Sequence, residues 1–311
     1  MNSKHRLLFA AILLVATGVR AVSTGTALFA VPAAPAETFA QTTNVRPVRL
    51  REVRGRGLLA DVWINSAGPF VFAVDTGAGA TLVSPRVAAA AKLDQQARRR
   101  RSIAGLTGRG MIARDARVQT LSIGDKTNYL PGSREVVVVP GLPPEIDGVL
   151  DPTEAFSPLG YVVDIPRLEL AAFDPRSRPL LPANQPREGA IVPWLRDGST
   201  RRPFVQLDNG DRALIDTGSS LGLAVRGTLP NDDRVSHSRD IGGGQVSTLR
   251  VRPMSIRIGG LSLRNIPTDV ISGVHADAPT LLGLGALRPF RLVFDPLNRL
   301  IEIAPVDHAR R

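Results

Sequence analysis

Pro69-Phe-Val-Phe-Ala-Val-Asp75-Thr76-Gly77-Ala78 is echoed far along the chain by Asp211-Arg-Ala-Leu-Ile-Asp216-Thr217-Gly218-Ser219-Ser220. Each stretch starts after a turn signal, Asn65-Ser-Ala-Gly68 in one case and Asp208-Asn-Gly210 in the other. Each runs through a short apolar strand into Asp-Thr-Gly. A further strand-like stretch precedes each turn, Leu58–Ile64 and Phe204–Leu207, so both turns read as hairpins. One Asp-Thr-Gly carries little information, because an isolated copy is most often a strand-end turn. Two in the same local setting point to a duplication.

The likeness continues downstream in one order. Glycine-rich turns follow, Gly105-Leu-Thr-Gly108-Arg-Gly110 and Gly242-Gly243-Gly244. Strand-like stretches ending in Ile-Gly come next, Leu121-Ser-Ile-Gly124 and Ile256-Arg-Ile-Gly259. Then come apolar segments, Val136–Val139 and Ile266–Ile271, and after them Asp147-Gly-Val-Leu150 and Pro279-Thr-Leu-Leu282-Gly283. Hairpin patterns close each copy, Tyr161–Leu170 and Leu292–Ile303. Short strands and turns dominate, which predicts an all-β or β-rich chain. The organisation expected is a first lobe over 46–175, a Pro-rich linker over 176–189, a second lobe over 190–305 and a tail over 306–311. The best helix candidate has Ser84 as cap, Pro85 in its first turn and a body over Val87–Arg100. Arg98–Arg101 would then sit at the negative end of its dipole.

Composition removes several classes of function. The chain has 311 residues, no cysteine and four histidines, His5, His237, His275 and His308. Disulfides, a cysteine nucleophile, Cys-ligated zinc and iron–sulfur clusters are excluded. The histidines form no HExxH and no pair at helical spacing, so no metal site is expected. The formal charge is +11, and all but three of the 39 basic residues are arginine. No aromatic residue interleaves the one dense run, Arg98–Arg101, so no nucleic-acid partner is expected. Lys4, His5 and Arg6 precede an uncharged stretch, Leu7–Val19, that suits the h-region of a signal peptide. Residues 1–40 are therefore expected to be signal and linker, and the protein exported to a periplasmic or extracellular space. The alternative joins Leu7–Ala30 into an uncleaved membrane anchor.

The paired Asp-Thr-Gly segments resemble the aspartic proteases, in particular the retropepsin-like and bacterial aspartyl protease families, over about residues 48–305. Ala-Val-Asp75-Thr76-Gly77-Ala78 looks like the retroviral form of the motif. Leu-Ile-Asp216-Thr217-Gly218-Ser219 is similar to the pepsin form. Leu281-Leu282-Gly283 followed by Phe290–Ile303 looks like the end of such a domain. The resemblance implies two β-barrel lobes about a pseudo-twofold axis, each contributing one aspartate to a shared site.

By that resemblance Asp75 and Asp216 form a dyad that activates water for peptide hydrolysis, with no cofactor. Two carboxylates about 3 Å apart cannot both ionise easily, so the pair holds one proton. Thr76 and Thr217 would hydrogen-bond across the interface. Gly77 and Gly218 would let the backbone turn sharply beside each carboxylate. Gly105, Gly108, Gly110, Gly242, Gly243 and Gly244 would form mobile flap tips. Ser219 could donate a hydrogen bond to Asp216, while Ala78 cannot do so for Asp75. On that basis Ala78→Ser is expected to shift activity toward acid. The implied partner is a peptide or protein substrate, met by a monomer.

Three features depart from the family's pattern. Asp151 stands where glycine usually follows two apolar residues, and is expected to strain its loop if that position packs tightly or needs a positive φ. Neither tyrosine, Tyr129 or Tyr161, lies in a candidate flap. Few residues separate the expected signal region from Val48, so no pepsin-like inhibitory pro-segment is expected. Two other readings remain. Gly218-Ser219-Ser220-Leu221-Gly222 matches a serine-hydrolase elbow, with Asp269 or Asp277 and then His308 in workable order. The second is a non-catalytic peptide-binding protein of the same fold.

Overall fold

A computed structural model describes residues 44–94, 100–132, 134–198, 200–231 and 233–306. The expected signal region and linker, Arg98 and Arg99 of the basic run, and tail residues 307–311 lie outside them. No described helix is long and apolar enough to cross a membrane.

The first half of the described chain runs β1 (Val48–Arg49), β2 (Arg51–Val53), β3 (Gly57–Ile64), β4 (Ala67–Val74), β5 (Leu82–Val83), α1 (Pro85–Ala90), β6 (Arg100–Ala104), β7 (Gly110–Arg117), β8 (Leu121–Ile123), β9 (Glu135–Val138), β10 (Gly148–Leu150), α2 (Pro152–Ala155), β11 (Gly160–Asp164) and β12 (Glu169–Phe173). The second runs β13 (Ala190–Pro193), β14 (Leu195–Asp197), β15 (Thr200–Gln206), β16 (Arg212–Asp216), β17 (Leu223–Arg226), β18 (Ser236–Arg239), β19 (Gln245–Ile258), β20 (Leu261–Ser272), β21 (Thr280–Gly283), α3 (Leu284–Leu287), β22 (Phe290–Asp295) and β23 (Leu300–Pro305). The chain is β-rich, with three short helices among the described residues.

One sheet has the order β2-β3-β4-β10-β5-β9-β7-β6, with β8 paired to β3. A second has the order β14-β15-β16-β21-β17-β20-β19-β18. The two paths match strand for strand, including their sense. β4 and β16 run parallel to β10 and β21, which in turn run antiparallel to β5 and β17. β5 and β17 run parallel to β9 and β20, and hairpins β6–β7 and β18–β19 end the paths.

The third sheet, β1-β12-β11-β22-β23-β13, draws on both halves. The closing hairpins β11–β12 and β22–β23 pair through β11 and β22, with Val162 opposite Val293. Every residue of β11 is buried, as expected for a strand covered on both faces. Tyr161 stacks on Phe294 at 4.6 Å between ring centroids, and Trp194 meets Phe294 edge-on at 5.9 Å. The Pro-rich stretch between β12 and β13 is fastened to this sheet. Leu180 N donates to Asp295 Oδ2 at 3.0 Å, and Gln185 exchanges two hydrogen bonds with Ile191.

The helix expected to reach Arg100 stops at Ala90. Its start is as expected: Ser84 Oγ accepts from Val87 N, with Pro85 in the first turn. Lys92 adopts φ +50, and Lys92 N and Leu93 N donate to Ala89 O and Ala88 O. That is a Schellman termination built without glycine. Arg100 and Arg101 lie in β6, so they do not complement a helix dipole.

Candidate active site

Asp75 directly follows β4, and Asp216 is the last residue of β16. Both strands sit mid-sheet, parallel to β10 and β21, so each aspartate is fixed by backbone bonding. Asp75 N donates to Leu150 O at 3.0 Å, and Asp216 pairs with Gly283. The loops that follow meet face to face.

The threonines lock that meeting. Thr76 N donates to Thr217 Oγ1 at 3.1 Å, and Thr217 N donates to Thr76 Oγ1 at 3.1 Å. Thr76 Oγ1 donates to Ile215 O at 2.6 Å, and Thr217 Oγ1 to Val74 O at 2.9 Å. Both threonines are buried. Every polar atom in this cross-brace has a partner, so it resists shear between the loops.

Gly77 and Gly218 bring each loop against the other's carboxylate. A Cβ on Gly218 would lie 2.7 Å from Asp75 Oδ1 and closer still to Asp75 Cγ. A Cβ on Gly77 would lie 3.0 Å from Asp216 Cγ. Neither glycine has a positive φ. The expected reason, a sharp turn, is therefore replaced by a steric one: the opposite carboxylate occupies the space of a side chain.

The carboxylates are held alike but not equally. Gly77 N donates to Asp75 Oδ1 at 2.8 Å. Asp216 Oδ1 accepts from Gly218 N at 2.9 Å and Ser219 N at 3.0 Å. Asp216 Oδ2 is buried with no hydrogen-bond donor beside it. Burial pushes the Asp216 carboxyl well above the usual carboxylate range, and the charge of Asp75 adds to the shift. Burial also raises Asp75, offset in part by the Gly77 amide and by the Arg202 charge. Arg202 is 3 % exposed, and its guanidinium pairs with Asp197. No motif marks this buried cation in the sequence.

The Ser219 hydroxyl does not play the expected part. Its Oγ accepts from Leu221 N at 3.3 Å, and the bond to Asp216 comes from the Ser219 main chain. Ala78 N reaches only the main-chain oxygen of Asp75, at 3.4 Å. The asymmetry lies in the backbone, which removes the basis for an acid shift in Ala78→Ser. The serine-hydrolase elbow is also lost. Ser219 is fully buried and leads into strand β17, whereas the elbow needs a helix. Of its partners, Asp269 is paired with Arg250, and His308 lies outside the described residues.

Asp151 does not strain its loop. Its φ is −83°, and its carboxylate caps α2 by accepting from Thr153 N at 2.9 Å. Gly283, its counterpart by strand register, has no such room. A Cβ there would lie 2.6 Å from Leu221 O and 2.7 Å from Ser219 O. The first loop reaches its pairing with β10 at Leu82, one residue sooner than the second reaches β21 at Ala224. The two loops therefore differ in length by one residue at this point. Burial raises the Asp151 carboxyl well above its usual range, and the neighbouring Glu154 charge adds to this. Tyr161, far from either hairpin tip, hydrogen-bonds Thr153 Oγ1 at 2.8 Å.

The candidate flap glycines lie at the tips of β6–β7 and β18–β19. Only Gly108 and Gly243 have positive φ. Gly105 is bare because a Cβ would lie 2.7 Å from Asp240 Cβ, and one on Gly242 would overlap Arg109 O. A Cβ on Gly244 would lie 2.6 Å from Thr107 Cβ, and one on Gly110 2.7 Å from Ser102 Oγ. Close approach, rather than a need for mobility, explains most of these glycines. Among the described residues no group of three or more His, Asp or Glu side chains is placed to hold a metal ion.

Residues 60–150, which contain the first Asp-Thr-Gly loop, match a family model described as aspartyl protease. Over those residues the chain is similar to the aspartyl protease family. The match to the aspartyl protease model ends at Leu150, before Asp216. No curated protein matches the chain.

Proposed function

We propose that this protein is an aspartic endopeptidase in which Asp75 and Asp216 form one catalytic dyad, each from its own lobe. The observation that carries this reading is the reciprocal approach of Gly77 to Asp216 and Gly218 to Asp75. That approach brings two buried carboxyls to one point, where they cannot both ionise. A single proton on the pair supplies the donor that Asp216 Oδ2 otherwise lacks. The strand-for-strand match of the two large sheets supports a tandem arrangement about a pseudo-twofold axis.

In the proposed reaction a water held between the carboxyls gives a proton to the ionised member and attacks the peptide carbonyl carbon. The protonated member hydrogen-bonds the developing oxyanion. Collapse of the tetrahedral intermediate breaks the C–N bond, with the leaving amine taking a proton from the dyad. The dyad titrates as a unit, so acid and base are not assigned to single residues. The substrate is an extended peptide or unfolded protein. We further propose export directed by residues 1–40 and action as a monomer.

The test is cleavage of an unfolded protein by the full chain, scanned from about pH 3 to about pH 8. Binding without cleavage at every pH would favour the non-catalytic reading. Asp151, one departure from the family's pattern, is accommodated as a helix cap.

A further inference from the structure

Three distant segments surround a cavity of about 280 Å³, and none of its lining residues lies in an Asp-Thr-Gly loop. Pro158 follows α2 in the first half of the chain. Trp194 precedes β14, and Arg201 lies in β15. Pro296, Leu297 and Arg299 belong to the turn between β22 and β23. Both halves therefore contribute to the wall.

Much of that wall is apolar and firmly placed. Trp194 Nε1 donates to Arg202 O at 2.8 Å, and the indole meets Phe294 edge-on, so its pose is fixed. Leu297 is 53 % exposed, so the lining still has apolar surface to bury. Two guanidiniums interrupt the wall. Trp194 N donates to Arg299 O, and Arg299 Nη2 donates to Trp194 O, both at 2.8 Å, which anchors that side chain beside the indole. Arg201 Nη1 donates to Ser157 Oγ at 3.2 Å. Each guanidinium has five N–H donors, so most remain for a ligand. Among the described residues neither arginine forms an ion pair, and no carboxylate lines the cavity. Glu154 feels the Arg201 charge but lies outside the lining.

A few polar groups set in an apolar wall are the usual makeup of a small-molecule site. Two cations with no acid beside them select an anion, and the planar fork of arginine matches a carboxylate. The apolar wall selects a ligand with an apolar body, which a hydrated inorganic anion lacks. We propose that this cavity binds a small amphiphilic carboxylate, with its body against Trp194 and Leu297 and its carboxylate on Arg201 and Arg299. Because the lining comes from both halves, the bound ligand ties them together and stabilises the folded protein. Nothing in this site depends on the peptide-cleaving reading of the dyad.

The chain has two tryptophans, Trp63 and Trp194, so Trp63→Phe leaves Trp194 as the only indole of the full chain. Titration of that protein with 4-phenylbutyrate should change its fluorescence saturably and raise its Tm. The neutral 4-phenylbutanamide, of the same shape, should bind about tenfold more weakly, because it forgoes the charge-assisted hydrogen bonds. Arg299→Met should weaken 4-phenylbutyrate about tenfold and the exposed Arg201→Met about threefold, with the amide unaffected by either. Arg201→Met serves alone if Arg299→Met, which loses its bond to Trp194 O, fails to fold. No saturable change up to about 10 mM overturns the site. Equal binding of acid and amide overturns it as a carboxylate site, and so does unchanged affinity in the folded arginine variants. Displacement of 4-phenylbutyrate by an equal concentration of inorganic phosphate overturns the part given to the apolar wall.

Discussion

Gly218 and Asp75 occupy the same corner of the site from opposite loops: a Cβ on the glycine would stand 2.7 Å from Asp75 Oδ1. The reverse pair is looser, with 3.0 Å from a Gly77 Cβ to Asp216 Cγ. Gly218→Ala must therefore displace Asp75, whereas Gly77→Ala needs only a small shift. Misplacing a reacting group by about 1 Å costs roughly 100-fold in rate. Gly218→Ala should lose at least that in kcat/KM, and Gly77→Ala clearly less. Steady-state kinetics of the two folded variants decide it, and equal losses would contradict the geometry.

The threonine brace gives a stability prediction. Thr76→Val removes an oxygen that serves both Ile215 O and Thr217 N. Leaving buried polar groups unpaired costs about 1–3 kcal/mol each. Thr76→Val and Thr217→Val should each lower unfolding free energy by about 2 kcal/mol or more, and Thr76→Ser by well under half of that. Denaturant unfolding measures all three.

Asp151 separates capping from charge. Asn preserves the acceptor that caps α2, whereas Ala removes it. Asp151→Ala should cost about 1 kcal/mol. Asp151→Asn should be neutral or stabilising near neutral pH, because the folded protein already disfavours the Asp151 charge. Thermal unfolding of the pair at one pH tests this, and an Asn variant as unstable as the Ala variant would refute it.

The dyad predicts a pH dependence with a definite sign. The folded state raises both Asp75 and Asp216 above the usual value of 3.8. It therefore binds protons that the unfolded chain releases, and stability falls as pH rises from about 4 through the folded values. Asp216→Asn removes one ionisation and offers an N–H toward Asp75. Its Tm should exceed that of the unmodified protein at neutral pH, and the advantage should vanish below about pH 4. A lower Tm at neutral pH would reverse the sign of the argument.

Much of this site can be read from local sequence, and what cannot depends on encounters between distant segments. Asp75 and Asp216 stand out because an apolar strand and a following Asp-Thr-Gly recur in matching surroundings. β-richness follows from short runs bounded by turn residues. The steric role of Gly218 depends on a carboxylate in the opposite loop, so local reading supplies only conformational freedom as its reason. Asp151 looks like an intrusion until its carboxylate is seen to cap α2. The helix after Pro85 looks long because Ala88–Ala91 favours it, and nothing local announces a Schellman turn at Lys92. Asp240 contacts Thr107 across 133 residues, and its only local mark is its place before a run of glycines.

The central claim is that one carboxylate from each half acts in a single dyad. The most direct measurement is the rate of unfolded-protein cleavage by the full chain compared with folded Asp75→Asn and Asp216→Asn. Each single variant should lose essentially all activity, and the double variant should lose no more than either, since the pair works as a unit. Either variant cleaving at near the unmodified rate would contradict the shared dyad.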